Sequence, residues 1–347
     1  MIILKMSRSA FHDGIGKLFG DYRVVAPSRI NGTLDYTDIV DPAQIDLSDE
    51  LPYKSPKEIL FPRVETILRI SDDGIDVPDT PKPTILIGVK PCDITAINVM
   101  DKVFSKENNK FSDPYYFRRR ESLIVIGMGC VHKKPGCFCD ELGIDMTFSD
   151  YSDAFISIDN DNNIVFLYIL DEKYESLFSI FDAQVLESGS PEVSEINSRV
   201  NESTTKNLRI DADEKELFEE IPWELYSESC LECGICTYIC PTCHCFEFRD
   251  VEDCGVTCRN RCWDSCMYPS FTLHASGHNP RATQRERFRQ RVLHKYMYVP
   301  KNCSVIACTG CGRCIRACPG GLNILRAVQD ILDRTIFSKV SKAEECV

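Results

Sequence analysis

Cysteine spacing is the feature that most constrains what this chain of 347 residues can fold into. One C-x2-C-x2-C-x3-C-P run is formed by Cys230, Cys233, Cys236, Cys240 and Pro241. A second, identical run is formed by Cys308, Cys311, Cys314, Cys318 and Pro319. Cysteines at these spacings are ligands of [4Fe-4S] clusters. Two complete copies leave little room for coincidence or for a zinc site, so the sequence predicts two clusters.

The two ligand sets are predicted to be crossed. In bacterial two-cluster ferredoxins the fourth cysteine of each run binds the cluster of the other run. The first predicted set is Cys230, Cys233, Cys236 and Cys318, and the second is Cys308, Cys311, Cys314 and Cys240. The segment between the runs is much longer than a minimal ferredoxin needs, and we expect it to be a helical insertion.

The remaining composition narrows the class of protein. The chain has 20 cysteines and a formal net charge of -13. Disulfides need an oxidising compartment, but the N-terminal MIIL is too short for a signal peptide and no cleavage site follows. An apolar run of about 18 residues, as a membrane span needs, is absent. We therefore expect a cytoplasmic protein of an anaerobe, with thiols reserved for metal and no membrane contact. The acidic balance argues against nucleic acid as a partner.

One local segment is basic. Residues 281–295 read RATQRERFRQRVLHK. Two interpretations remain open. The segment is either a solvated helix face, or a basic surface that docks an acidic partner or screens the negative clusters.

The pattern along the chain predicts an α/β domain over residues 1–210 and a mostly helical, ferredoxin-like domain over 211–347. Apolar runs predict strands at 22–27, at 84–93, ending there in a Gly-Val-Lys-Pro-Cys loop, and at 122–130, and a hairpin at 154–170. Helical spacing predicts helices at 9–18 and 93–104, the latter with Asp93 as N-cap. Residues 55–70 are predicted as an extended entry followed by a helix. Residues 175–208 are predicted to be helical, and the polar stretch 199–214 to be the domain boundary.

Four cysteines of the first domain form a further candidate site. Cys92 and Cys130 each follow a predicted parallel strand, at the sheet edge where ligands bind. Cys137 and Cys139 follow in the segment GCFCD. Four thiols suit zinc or an iron-sulfur cluster, and we favour a third [4Fe-4S] cluster. The alternative is four unrelated buried cysteines, since free cysteine is often buried.

Six of the cysteines between the two runs form a sequence group: Cys243, Cys245, Cys254, Cys258, Cys262 and Cys266. The last four have the spacing C-x3-C-x3-C-x3-C, which would place their thiols near one face of a helix. A further metal centre and packing around the two clusters both remain open. Cys303 and Cys346 are expected to be unligated. His244, His274, His278 and His294 are expected to be structural. Motifs for flavin, nicotinamide or phosphate binding are absent.

Several segments together resemble the iron-sulfur, electron-transfer subunit of anaerobic sulfite reductase and the beta subunit of cytoplasmic sulfhydrogenase. They include GVKPCDITAI at 88–97, YYFRRRESLIVIG at 115–127, CPTCHCFEFRD at 240–250, RCWDSC at 261–266 and RFRQRVLHKYMY at 287–298. The resemblance implies an electron-transfer protein in a hetero-oligomer. Such a protein lies between a flavin- and NAD(P)H-binding, ferredoxin-reductase-like subunit and a catalytic subunit, which is either a sulfite reductase or a NiFe hydrogenase. Cys254, Cys258 and Cys262 depart from the family pattern.

The expected role is therefore electron relay, most specifically for a sulfite reductase, with no catalytic site in this chain. Two alternatives are a sulfhydrogenase beta subunit and a catalytic iron-sulfur subunit that uses the Cys243–Cys266 group. A zinc-stapled interaction module is a third interpretation.

Overall fold

The computed structural model describes residues 2–78, 82–186 and 208–344. Its strands, numbered along the chain, are β1 (Ile2–Ser7), β2 (Arg23–Ile30), β3 (Thr33–Asp38), β4 (Val64–Ser71), β5 (Gly74–Asp76), β6 (Thr84–Val89), β7 (Leu123–Met128), β8 (Ala154–Asp159), β9 (Ile164–Ile169), β10 (Gln184–Leu186), β11 (Phe246–Asp253) and β12 (Val256–Trp263).

The helices are α1 (Arg8–Gly16), α2 (Lys57–Leu60), α3 (Pro91–Phe104), α4 (Pro114–Glu121), α5 (Glu175–Phe178), α6 (Glu214–Glu219), α7 (Glu224–Ser227), α8 (Ile235–Tyr238), α9 (Gln284–Leu293), α10 (Val299–Cys303), α11 (Arg313–Arg316) and α12 (Ile324–Glu344). A π-helical turn, His294–Tyr298, joins α9 to α10. Short 3-10 turns lie at Pro42–Gln44, Asp140–Leu142, Glu172–Tyr174 and Pro269–Thr272. Among the described residues, no helix is long and apolar enough to cross a membrane.

Eight strands form the main sheet, in the order β10-β1-β9-β8-β7-β6-β2-β3. The pairs β2–β6, β6–β7 and β7–β8 are parallel. Strands β6 and β7 are buried along their whole length, as central strands covered on both faces must be. Alternate residues of β6 enter two cores, Ile85 and Ile87 on one face and Leu86 on the other. The predicted α/β character, the central strands and the 154–170 hairpin are confirmed.

A second sheet corrects two predictions. Strands β11 and β12 form a hairpin within the insertion and pair with β4 and β5, in the order β11-β12-β4-β5. The insertion is thus not purely helical, because this hairpin precedes α9, the π-helical turn and α10. Residues 64–71 are a strand rather than a helix, and "mostly helical" is wrong for the second half. Residues four apart share a face in a strand as well as in a helix, so cysteine spacing could not separate the two. The overlooked signal was the turn Cys254-Gly255, where both residues have positive φ (50° and 79°), as a two-residue hairpin loop requires.

Helix α3 begins earlier than predicted. Its N-cap is Lys90 and Pro91 occupies the first helical position, where the fixed φ of proline suits a helix start. Asp93 therefore lies inside the first turn, buried, and is not the cap. The change frees its carboxylate to pair with Arg313.

The predicted domain boundary is only partly described. Of the stretch 175–208 predicted to be helical, residues 175–178 form α5, but residues 184–186 form the strand β10, so the prediction is wrong there. Residues 187–207 lie outside the described part. The pairing of β12 with β4 joins strands from both sides of residue 210. The division at that residue stays a prediction.

A buried ionic network fastens the insertion to the first half of the chain. Arg261 on β12 donates hydrogen bonds to Glu65 on β4 and to Asp113, the N-cap of α4. Arg119 donates to the same Glu65. The side chains of Arg261 and Glu65 are each only 3% exposed, so each charge depends on the other for compensation.

We predict that Arg261→Met lowers the free energy of unfolding by about 3–5 kcal/mol, because it leaves the Glu65 and Asp113 carboxylates short of a buried partner. Arg259→Met is the matched control. Arg259 lies on the same strand, but its pair with Asp250 is exposed, and exposed pairs contribute little. Thermal unfolding followed by circular dichroism should show a large decrease in Tm for the first variant only. Equal shifts would contradict the role of the network.

Candidate iron-sulfur sites

The first crossed cysteine set lines one cavity. This cavity is bordered by Cys230, Cys233, Cys236 and Cys318, together with apolar side chains that include Met267 and Phe288. Its loop turns at Gly234, which has φ of 70°. A Cβ there would lie 2.7 Å from the Tyr268 ring, so only glycine fits. Four converging thiols in an apolar-walled space fit a [4Fe-4S] cluster.

The second crossed set lines a neighbouring cavity. It is bordered by Cys240, Cys308, Cys311 and Cys314. Cys314 also borders the first cavity, so the two sites are adjacent. The structure thus brings together each set of four in the crossed arrangement. Their role as ligands stays a prediction.

The four cysteines of the first half also converge, at the carboxyl edge of β6 and β7. Cys92 lies in the first turn of α3, and Cys130 follows β7. Cys92 and Cys139 pack with Cys311 in one buried cluster. Cys137 Sγ lies 3.3 Å from the Cys311 carbonyl oxygen. This third group therefore lies directly against the second cavity. Its ligand role is likewise still a prediction.

Burial makes the free thiolate form costly in this group. It raises the pKa of Cys139 to about 12, with the negative charges of Cys137 and Cys130 adding to the effect. Burial also raises the pKa of Cys92. A metal centre would offset that cost, because bound thiolates are held deprotonated by the metal. Among the described residues, no three His, Cys, Asp or Glu side chains converge closely enough for a single metal ion.

Close loop packing holds the second and third groups together. The Phe138 amide donates to the Gly310 carbonyl oxygen at 2.7 Å. Gly310 has φ of 60°, and a Cβ there would lie 2.5 Å from the Phe138 and Cys139 backbone. A buried ion pair reinforces the contact, since Arg313 donates to both Asp93 oxygens at 2.6 and 2.8 Å.

One face of the basic segment is buried rather than solvated. Arg287, Arg291 and Lys295, spaced four residues apart, are 1%, 4% and 4% exposed. Arg287 pairs with Glu232 of the first cysteine loop. Arg291 donates to Cys243 Sγ at 3.4 Å, and Lys295 donates to Cys240 Sγ at 3.3 Å. The i, i+4, i+8 spacing was visible in the sequence. Its direction toward the cysteines was not.

The six cysteines from Cys243 to Cys266 do not form one spatial group. Cys254 is exposed at the hairpin turn, and Cys258 and Cys262 lie on β12. Only Cys243, Cys245 and Cys266 gather near the two cavities, where a hydrogen bond with Cys266 lowers the pKa of Cys245 to about 6. Lys57 of α2 donates to the Cys243 carbonyl oxygen at 2.9 Å.

The four histidines follow their expected structural role or face solvent. Burial lowers the pKa of His244 to about 4. Burial and the neighbouring His244 lower the pKa of His294 to about 3. Both are therefore neutral near pH 7. His274 and His278 are exposed. Cys303 contributes to a small core with Val99 and Val299, and Cys346 lies outside the described residues.

Comparison with known proteins supports an iron-sulfur protein, as the cysteine sites do. Residues 229–322 match the family described as 4Fe-4S dicluster domain. The match covers both cysteine runs and defines an iron-sulfur electron-transfer protein. The chain is also 29% identical to sulfhydrogenase 2 subunit beta of Pyrococcus furiosus, over 97% of this chain and 100% of that protein. The resemblance to the sulfhydrogenase beta-subunit family is confirmed. Solved structures give no match.

We predict that mutation of the fourth cysteine of each run will remove the cluster of the other run. Cys318→Ser should remove the signal of the first cluster, and Cys240→Ser that of the second, because each belongs to the cavity built mainly from the other run. Each variant should lose about four iron atoms, the content of one [4Fe-4S] cluster. Iron analysis and EPR of the reduced protein measure both. Cys303→Ser, which lies at neither cavity, should keep all its iron. If Cys318→Ser removed the second signal instead, the crossed assignment would be wrong.

Proposed function

We propose that this chain carries electrons through three [4Fe-4S] clusters between two partner subunits. The observation that supports it is the continuous line of thiol groups. Cys314 borders both dicluster cavities, and Cys311 of the second packs against Cys92 and Cys139 of the third. A cluster bound at such a site exchanges single electrons without breaking bonds.

The protein's own residues supply position and environment. Tight glycine turns at Gly234 and Gly310 bring loops into close approach. The Arg313–Asp93 pair and the Phe138–Gly310 hydrogen bond hold the third group against the second. Apolar walls such as Met267 and Phe288 limit water at the first site. These features fix distances and burial, two of the properties that tune cluster potentials.

The two ends of the line differ in exposure from its middle. Cys233 of the first group is exposed, and its neighbour Leu231 is 67% exposed. At the other end, Val131 beside Cys130 is also 67% exposed. A relay needs a surface-accessible site for each partner, and these two ends provide them. We assign one partner to a flavin- and NAD(P)H-binding, ferredoxin-reductase-like subunit and the other to a catalytic subunit.

The catalytic partner is the finer part of the proposal. Similarity to a protein named sulfhydrogenase 2 subunit beta supports a sulfhydrogenase-type hydrogenase, the alternative that the sequence left open. A sulfite reductase, which the sequence favoured, stays a prediction. Tagged chain purified anaerobically from its native host, followed by identification of the associated subunits, would decide between them. Recovery of the chain without any flavin-containing subunit would count against the relay.

We predict about twelve iron atoms per reconstituted chain, four for each of three clusters. Cys130→Ser should lower the count by about four and leave both dicluster EPR signals, because Cys130 lies only in the third group. Cys254→Ser, on the exposed hairpin turn, is the control and should retain all iron. A wild-type count of about eight iron atoms would contradict the prediction of a third cluster. A count below eight would contradict the prediction of two dicluster sites as well.

A further inference from the structure

We propose that Arg291 and Lys295 tune the potentials of the two dicluster sites: Arg291 raises both, and Lys295 makes the Cys240-containing site the easier one to reduce. The inference rests on the proposed function, because it requires clusters at both cavities. It is based on the position of two buried cationic side chains, which belong to the long insertion and lie beside the cysteines of the two runs.

Arg291 lies between the two sites. It borders both cavities and is 4% exposed. Its guanidinium donates to Cys243 Sγ at 3.4 Å and to the Cys236 carbonyl oxygen at 2.9 Å. Arginine remains protonated in proteins, so this positive charge is permanent. An added electron at either site would be stabilised by it.

Lys295 acts on one site only. It borders the second cavity but not the first. Its ammonium donates to Cys240 Sγ at 3.3 Å, to Thr242 Oγ1 at 2.9 Å and to the Ala307 carbonyl oxygen at 2.8 Å. All three contacts lie at the second site. A charged hydrogen bond to a ligand sulfur stabilises the more negative, reduced state of that site.

Neither cation is neutralised by an acid. In the described ranges, no carboxylate lies within salt-bridge distance of Arg291 or Lys295. Arg287, one turn earlier on the same face, differs because it pairs with Glu232. An unpaired charge in a low-dielectric interior acts more strongly on its neighbours than an exposed one, which water and salt screen. Arg291 and Lys295 are therefore the positions on this face with the greatest effect.

The geometry gives a differential expectation. Removing the Arg291 charge should lower the potentials of both dicluster sites. Removing the Lys295 charge should lower mainly that of the second site. The third group borders neither side chain, so its potential should change least. With Lys295 present, an electron that enters at the exposed first site is drawn toward the second site.

The experiment is an EPR-monitored redox titration of the reconstituted full chain. Signals are assigned with Cys318→Ser and Cys240→Ser. The test variants are Arg291→Gln and Lys295→Met. Lys295→Arg keeps the charge and should titrate close to wild type. Arg285→Gln is the matched control on the same helix, because Arg285 is 46% exposed in its side chain and paired with Glu224. It should leave both potentials unchanged.

The expected result is a downward shift of both signals in Arg291→Gln and of the second signal alone, or more strongly, in Lys295→Met. Iron content is measured on every sample to show that the clusters are assembled. Full iron with unshifted potentials in both test variants would overturn the inference and leave the relay intact. If Arg291→Gln loses iron, the comparison of Lys295→Met with Lys295→Arg decides. Iron loss in Lys295→Met with full iron in Lys295→Arg would assign the lysine to assembly instead. Too little iron in the wild type would refute the proposed function itself.

Discussion

Buried positive charge beside the cysteine groups is the constraint on which the rest of the structure depends. Thiolates taken out of water need compensation, and an acidic chain must provide it locally. Arg291 and Lys295 provide it at the dicluster cavities. Arg313 and Lys90 lie at the third group, where Arg313 is balanced by Asp93. The insertion between the runs contributes to this compensation, because α9 and the following π-helical turn bring two of these cations to the cysteines.

The second sheet explains how so long an insertion remains ordered. Its hairpin β11-β12 completes a sheet begun by β4 and β5 of the first half. The Glu65–Arg261–Asp113 network locks that pairing from the buried side. Lys57, close to β4, then reaches the Cys243 loop and lies 3.9 Å from the centre of the Trp263 ring. The α/β half and the dicluster half are therefore joined at several places, among them the shared sheet, the Phe138–Gly310 hydrogen bond and the Arg313–Asp93 pair.

Prediction from the sequence succeeded where one local pattern had one structural meaning. Uniformly apolar runs such as TILIGV and LIVIGM are typical of central parallel strands, and they form them. It failed at residues 64–71 and 246–263, where the partner strand comes from the other half of the chain. Neither the β4-β5 pair nor the β11-β12 hairpin is strongly apolar, so each depends on the other for burial. That dependence is tertiary, and local periodicity does not contain it.

Cysteine spacing alone determined the chemistry of the chain, since thiols at those intervals, repeated with their prolines, suit iron-sulfur clusters and little else. It also indicated which cysteine should cross to the other run. Only the tertiary structure decided the surroundings of those thiols. The third group comes to lie against Cys311, three cysteines of the insertion are kept apart from the rest, and Arg291 and Lys295 point inward rather than to solvent. The reason is that ligand spacing is a local property, whereas the distance between groups and the charge beside them depend on how remote segments pack.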